Sequence, residues 1–258
     1  RFFITFLVWA ICYATCKAQT SKPDTIYAEY VQEEIQLDGK PDEAVWKRAV
    51  HINNFTQREL NIGEPATERT EVAILYTAKT LYIGFWGYDR NPQKIIAREM
   101  KRDFDWGGED NFEVIIDTYN DDRNGFLFAI NPNAARADAQ VLNNGESFNK
   151  FWNGVWDTRT TITSEGWFAE IAIPFSTLKF KTNVEQHAWG INFERNIRRK
   201  REQLLWQGWS RDSELELLNR AGTLISLDSI VSKKFIEVKP YTIGGGEFTP
   251  GKDEGQLN

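Results

Sequence analysis

Short runs of apolar residues at period two, broken by turn residues about every 10 to 20 positions, constrain this chain more than any other feature. Side chains alternate faces along a strand, so such runs mark strands with one or both faces buried. They cover residues 70–76, 81–88, 111–119, 125–131, 155–163, 167–173, 188–198, 203–209 and 222–227. Between two of them, Asn120-Asp121-Asp122-Arg123-Asn124-Gly125 is a hairpin turn, because Asn, Asp and Gly tolerate positive φ. Helical signals are few. The clearest is 41–49, with Pro41 and acids at its start and Lys47 and Arg48 at its end. The pattern predicts an all-β fold: an antiparallel β-sandwich, jelly-roll or immunoglobulin-like, with one short helix near the N-terminus. No internal repeat or low-complexity tract interrupts it.

Residues 2–16 are almost wholly apolar, with Arg1 in front and Cys16-Lys17-Ala18 behind. The run falls short of the roughly 20 residues of a membrane span and fits a secretory signal peptide over residues 1–18. The expected organisation is then a lead over 19–30, the sandwich over 31–230, and the truncated start of a following region over 231–258. Cys12 and Cys16 both lie in the signal segment, so the exported chain has no disulfide and no cysteine metal site. Its core alone must hold it together. Loss of Arg1 and Lys17 moves the net charge from −6 to −8. That balance argues against nucleic acid and anionic membrane surfaces as partners.

The chemistry concentrates in 102–117. A Gly-rich acidic loop carrying Trp106 runs into a strand that holds Glu113. An aromatic ring covers the apolar C–H face of a sugar, and a carboxylate accepts hydrogen bonds from its hydroxyls. A plain hairpin with a packed Trp uses the same residues. Trp46, Trp86, Trp167 and Trp189 sit at apolar positions and read as core. His51 and His187 stand alone, which speaks against a metal or catalytic histidine. Asp117, Asp121 and Asp122, with Asn120, offer the oxygen density of a Ca²⁺ site. Asp103, Asp105, Glu109 and Asp110 are a second such cluster. A turn explains the first group without metal. The basic run Arg195, Arg198, Arg199, Lys200 and Arg201 reads as a solvated hairpin tip.

Asp38-Gly39-Lys40-Pro41-Asp42-Glu43-Ala44-Val45-Trp46 resembles the opening of family 9 carbohydrate-binding modules. The strand pair from Thr70 to Gly84 with Asp89 behind it, the run Glu109 to Asp117, the run Gly166 to Pro174, and Trp189-Gly190-Ile191-Asn192-Phe193 resemble later signatures in the same order. A subgroup carries this domain at the N-terminus of a predicted outer-membrane β-barrel of Gram-negative bacteria. Arg69-Thr70-Glu71-Val72, Glu194-Arg195 and the tail after Lys233 fit it. The resemblance implies a periplasmic or outer-membrane location, and the chain's own C-terminal barrel as a partner. It also implies a site in which two Trp rings sandwich a sugar. Trp106 matches the first by position, with one extra residue of spacing, and Glu113 matches the strand Glu. Trp206 is preferred as the second over Trp209. Asn131 and Asn192 are further hydroxyl partners.

The expected function is non-catalytic binding of an oligo- or polysaccharide by an exported envelope protein, in carbohydrate catabolism, with no required cofactor. The alternatives are a structural or gating domain serving a barrel without binding sugar, and an accessory domain of a glycoside hydrolase. Glu113 has no acid partner at a defined spacing and no nucleophile–histidine set exists, so a hydrolase is disfavoured. A haem-binding sandwich would have only Met100, His51 and His187 as axial ligands.

Overall fold

The computed structural model describes residues 25–230, except 183 and 229. The expected signal segment, both cysteines and the tail from 231 lie outside the described residues. The strands are β1 (Thr25–Tyr30), β2 (Thr56–Glu59), β3 (Thr70–Tyr76), β4 (Thr80–Tyr88), β5 (Asn111–Asp117), β6 (Gly125–Ile130), β7 (Arg136–Leu142), β8 (Ser147–Asn149), β9 (Asp157–Thr163), β10 (Gly166–Pro174), β11 (Trp189–Ile197), β12 (Glu202–Leu205) and β13 (Gly222–Ile225). The helix α1 (Ala44–Arg48) is a single turn and a half at the expected place.

The strands form one curled mixed sheet in the order β8-β7-β6-β5-β11-β13-β1-β3-β4-β10-β9, with β12 and β2 extending from β11. Folded over at β1, it makes the two faces of a sandwich. Phe85 of β4 stacks on Phe112 of β5 with ring centroids 4.2 Å apart, so the two halves meet. Val72, Ile74, Trp167 and Ile171 on one side and Val114, Phe128, Trp189 and Phe193 on the other fill the space between. These alternate with outward positions, as period two requires. Trp46, Trp167 and Trp189 are core as expected.

Besides the strands β2, β7 and β8, which the apolar pattern does not mark, two features depart from expectation. First, β1 lies in the stretch expected to be a lead, and it runs parallel to both neighbours. Thr25–Tyr27 pair with Thr223–Ile225, and Ala28–Tyr30 with Ile74–Tyr76. All other ladders are antiparallel. Second, the basic run is a solvated tip only in part: Arg198 and Arg201 are exposed, and the other three are tied down. Arg195 is buried, and its guanidinium donates to the carbonyls of Arg69 (3.1 Å) and Tyr88 (2.9 Å) and to Thr70 Oγ1 (2.8 Å). Arg199 clasps Asp89 through both nitrogens, and Lys200 pairs with buried Glu68. Burial alone would raise the Glu68 pKa, but the Lys200 and Arg90 contacts bring it below the ordinary carboxylate value.

The opening signature is held by a residue far along the chain. Glu170 Oε2 accepts the backbone N–H groups of Asp38 (2.9 Å) and Gly39 (3.0 Å), and Oε1 accepts the Trp46 indole N–H (3.1 Å). Gly39 sits at φ +82°, and a Cβ there would lie 2.6 Å from the Thr160 backbone, so only glycine fits. This tie clamps the Asp38–Trp46 segment onto the outside of β10.

Candidate functional site

The outward residues of β5 and β11 form the candidate site. Glu113 and Glu194 are register partners on adjacent antiparallel strands, which puts their Cβ atoms about 4.5–5.5 Å apart. Both are nearly inaccessible, at 4% and 5% exposure. Asn196 Nδ2 lies 2.7 Å from Glu194 Oε1, 2.9 Å from Asn111 Oδ1 and 3.4 Å from Glu113 Oε1. Gln203 donates a second amide hydrogen to Glu194 Oε1, at 2.6 Å. Asn111 Nδ2 donates to the Trp106 carbonyl at 2.6 Å. Arg58 of β2 donates to the Gln203 side chain, to the Ser213 carbonyl and to Glu214. A lateral chain of hydrogen bonds thus runs across three strands from the Trp106 loop to β2.

Burial dominates the electrostatics here. It raises the Glu113 pKa well above the ordinary carboxylate value, with the Glu194 and Glu216 charges adding to the rise. Burial likewise lifts Glu194 to about 7, against the amide hydrogen bonds of Gln203 and Asn196. Glu216 is raised by burial as well. Burial and the neighbouring acid thus both favour the protonated form of Glu113, which can donate as well as accept.

The segment 213–220 lies across this face. Leu215 and Leu218 pack with Ile115, Leu127 and Leu205, and Phe104 joins the same cluster. Trp106 packs at its edge and stays half-exposed. Its ring borders a hollow of about 220 Å³ lined by Asp103, Phe104, Asp105, Ala137, Asp138 and Lys150. Lys150 Nζ stands 5.1 Å from the Trp106 ring centroid. At the hollow's base Asp138 is buried and accepts from the Trp156 indole and from Arg102. Burial raises its pKa while those two donors oppose the rise.

The expected site residues separate. Trp106 and Glu113 are joined through Asn111 and Asn196. Trp206 is 2% exposed, packs on Phe193 inside the core and donates its indole N–H to Asn54, so it offers no face to a ligand. Trp209 is 44% exposed and stands against Gly63, beyond β2 at the far end of the hydrogen-bonded chain. Asn131 is consumed by Glu99, Glu109, Asn133 and Ala135, and Asn192 by its neighbour Phe193 and by Gln207, so both hold backbone instead of pointing at a ligand. Both oxygens of Asp117 accept backbone N–H groups, from Tyr119, Asn120, Asp121 and Asp122, and Asp121 accepts from Arg123 and Asn124. The turn uses the lone pairs that a calcium ion would need, so this donor set does not fit one. In the second acidic cluster, Glu109 holds the N–H groups of Arg98 and Glu99, Asp110 that of Arg198 and Asp105 that of Gly107. No group of three or more His, Cys, Asp or Glu could hold a metal among the described residues.

Sequence reasoning missed Asp138, Lys150, Glu194, Asn196, Gln203 and Arg58. Glu194 and Asn196 carried a legible signal, since they share the parity of Asn192 on one strand. Lys150 and Arg58 carried none, because loops and a short strand bring them in.

Residues 37–213 match the family described as carbohydrate family 9 binding domain-like. Among solved structures, the chain is similar to a proposed carbohydrate-binding protein from Bacteroides uniformis, at TM-score 0.65 and 11% identity, covering 79% of this chain and 99% of that one. It is also similar to a family 9 carbohydrate-binding module from Caldicellulosiruptor kristjanssonii, solved with cellotriose and with glucose. There the TM-score is 0.55 and the identity 13%, covering 84% of this chain and all of the other. No curated protein matches the sequence.

Proposed function

Because the chain belongs to the carbohydrate family 9 binding domain-like family, we propose that it binds carbohydrate without catalysis, at the Trp106 hollow. The observation that carries this is a half-exposed indole at the rim of a hollow that Asp103, Asp105, Asp138 and Lys150 line beside it. A sugar ring lays its C–H face on Trp106. Lys150, whose Nζ lies over that ring, swings to a hydroxyl and donates to it. Asp103 and Asp105 accept from others. Glu113 and the Glu194 beside it lie one amide step behind Asn111 and stiffen the loop from below. Glu113 and Glu194 are buried at 4% and 5% exposure under the apolar cover of Leu215 and Leu218, so they do not flank a ligand as the two carboxyls of glycoside hydrolysis do. The structures solved with cellotriose and glucose make neutral glucosides the first ligands to test. The apolar N-terminal run supports export, and the subgroup resemblance supports a place in the Gram-negative envelope beside a C-terminal barrel, serving carbohydrate catabolism.

Calorimetric titration with glucose, cellotriose and a broad panel of neutral glycans tests this reading, with Trp106→Ala as the control. The cover of 213–220 over Glu113 favours one second reading: a domain that kept the sandwich and serves an attached barrel without binding sugar. Wild-type protein that binds nothing in the panel decides for the latter.

A further inference from the structure

A second hollow lies on the other half of the sandwich, outside β4 and β10. Its volume is about 290 Å³, at the lower edge of the roughly 300–1,000 Å³ of small-molecule sites. Its floor is aromatic: Trp86, Tyr88 and Phe168, with Tyr88 and Phe168 edge-to-face at 5.5 Å. Its rim is polar and of both signs, with Lys40 and Asp42 on one wall and Glu165 on the other. The Arg69 guanidinium lies 4.3 Å from the Tyr88 ring centroid without lining the hollow, so it backs the ring and leaves the lined side open.

Both walls are preformed. The Lys40 wall is fixed by Glu170, which holds the N–H groups of Asp38 and Gly39, and by Asp38 Oδ1, which accepts the Lys40 N–H at 2.8 Å. The Glu165 wall is fixed by Thr163 Oγ1, which accepts the Glu165 N–H at 3.0 Å, and by the Glu165 carbonyl, which accepts the Asp89 N–H at 2.8 Å. Gly166 follows at φ +146°, where a Cβ would lie 2.2 Å from the Gly87 carbonyl oxygen, so the turn closes tightly on β4. Walls held by backbone hydrogen bonds lose little freedom when a ligand enters.

We propose that this hollow is a second carbohydrate site, taking one neutral hexose unit, free or at a chain end. The apolar floor suits the C–H face of a pyranose. Hydroxyls both donate and accept, which matches a rim holding one cation and two carboxylates. The same rim repels phosphate and uronate. The site lies on the opposite outer face from Trp106, so its occupancy is independent of the first reading.

Calorimetry with glucose and cellotriose reads the number of sites on four proteins: wild type, Trp106→Ala, Lys40→Ala/Glu165→Ala, and Tyr88→Ala. The rim pair is exposed and leaves the packing intact, which covers the case in which Tyr88→Ala lowers the melt. Wild type is expected to bind two ligands per chain. Trp106→Ala should keep one, and the rim pair should weaken that remaining site by about ten-fold. One site lost in Trp106→Ala and unchanged in the rim pair overturns this proposal and leaves the first reading standing. One site kept in Trp106→Ala and lost in the rim pair sustains it while the first reading fails. No binding in wild type overturns it.

Discussion

Glu170 and Glu113 are both outward-facing strand glutamates, both are buried, and burial raises the pKa of each. Their surroundings are opposite. Glu170 accepts three N–H groups at 2.9–3.1 Å, two from backbone and one from an indole. Glu113 has one long contact, 3.4 Å from Asn196, and faces a second acid across the ladder. A carboxylate whose lone pairs are filled by its own chain is a rivet. A carboxylate with spare hydrogen-bonding capacity beside a like group costs stability and is kept for another reason. The difference separates architecture from function on two faces of one sandwich.

The strongest way to break this contrast is to remove the rivet. Glu170→Ala strands three donors at about 1–3 kcal/mol each, and because they share one site the losses do not add fully. A fall of about 3–5 kcal/mol in unfolding free energy is expected by urea denaturation. A loss below about 1 kcal/mol would erase the distinction between the two glutamates.

Next in size is the pH dependence at the acid pair. The folded-state pKa of Glu194 is raised from 4.5 to about 7, so the folded chain holds the proton more tightly than the unfolded one. The stability this contributes is fully present below about 4.5 and lost as pH rises through about 7. The loss amounts to about 3 kcal/mol. Glu194→Gln removes it. Both amide hydrogen bonds end on Oε1, which glutamine retains. Denaturation at pH 5 and pH 8 should therefore show the variant changing less than wild type by about that amount. Equal pH profiles would mean the pair is ionised and solvated.

Smaller effects fall on binding. Trp106→Ala should weaken sugar binding by about ten-fold in calorimetry while lowering the melt by only a few degrees. A collapsed melt would make Trp106 a core residue. Trp209→Ala should change affinity by less than about three-fold, as rim contacts do. A larger loss would make Trp209 the second platform and move the site towards β2.

The sandwich was legible because most of its strands carry bulky residues at period two. β7 was missed because Ala137 and Ala139 fill positions where Val or Ile would have signalled a strand. β1 was missed because its burial comes from joining two ladders, a tertiary fact. The opening signature was visible, but its cause was not, since the acid that holds Asp38 sits 132 positions away. Arg195 misled for the same reason: its partners lie on β3 and β4, and in sequence it stands beside charges that are solvated. Trp206 and Trp209 differ by three positions. Only the packing on Phe193 shows that the first turns inward.

The parallel pairing of β1 also has a mechanical consequence. Thr25–Tyr27 lie alongside Thr223–Ile225 in the same direction, and these two strands stand near opposite ends of the described chain. Tension applied between the ends pulls β1 and β13 past each other lengthwise. It loads their hydrogen bonds together instead of peeling them one at a time. The ladder from Ala28 to Tyr30 against β3 carries the load on into the other half of the curled sheet. The domain is therefore built to stay folded when it is anchored at one end and drawn on at the other.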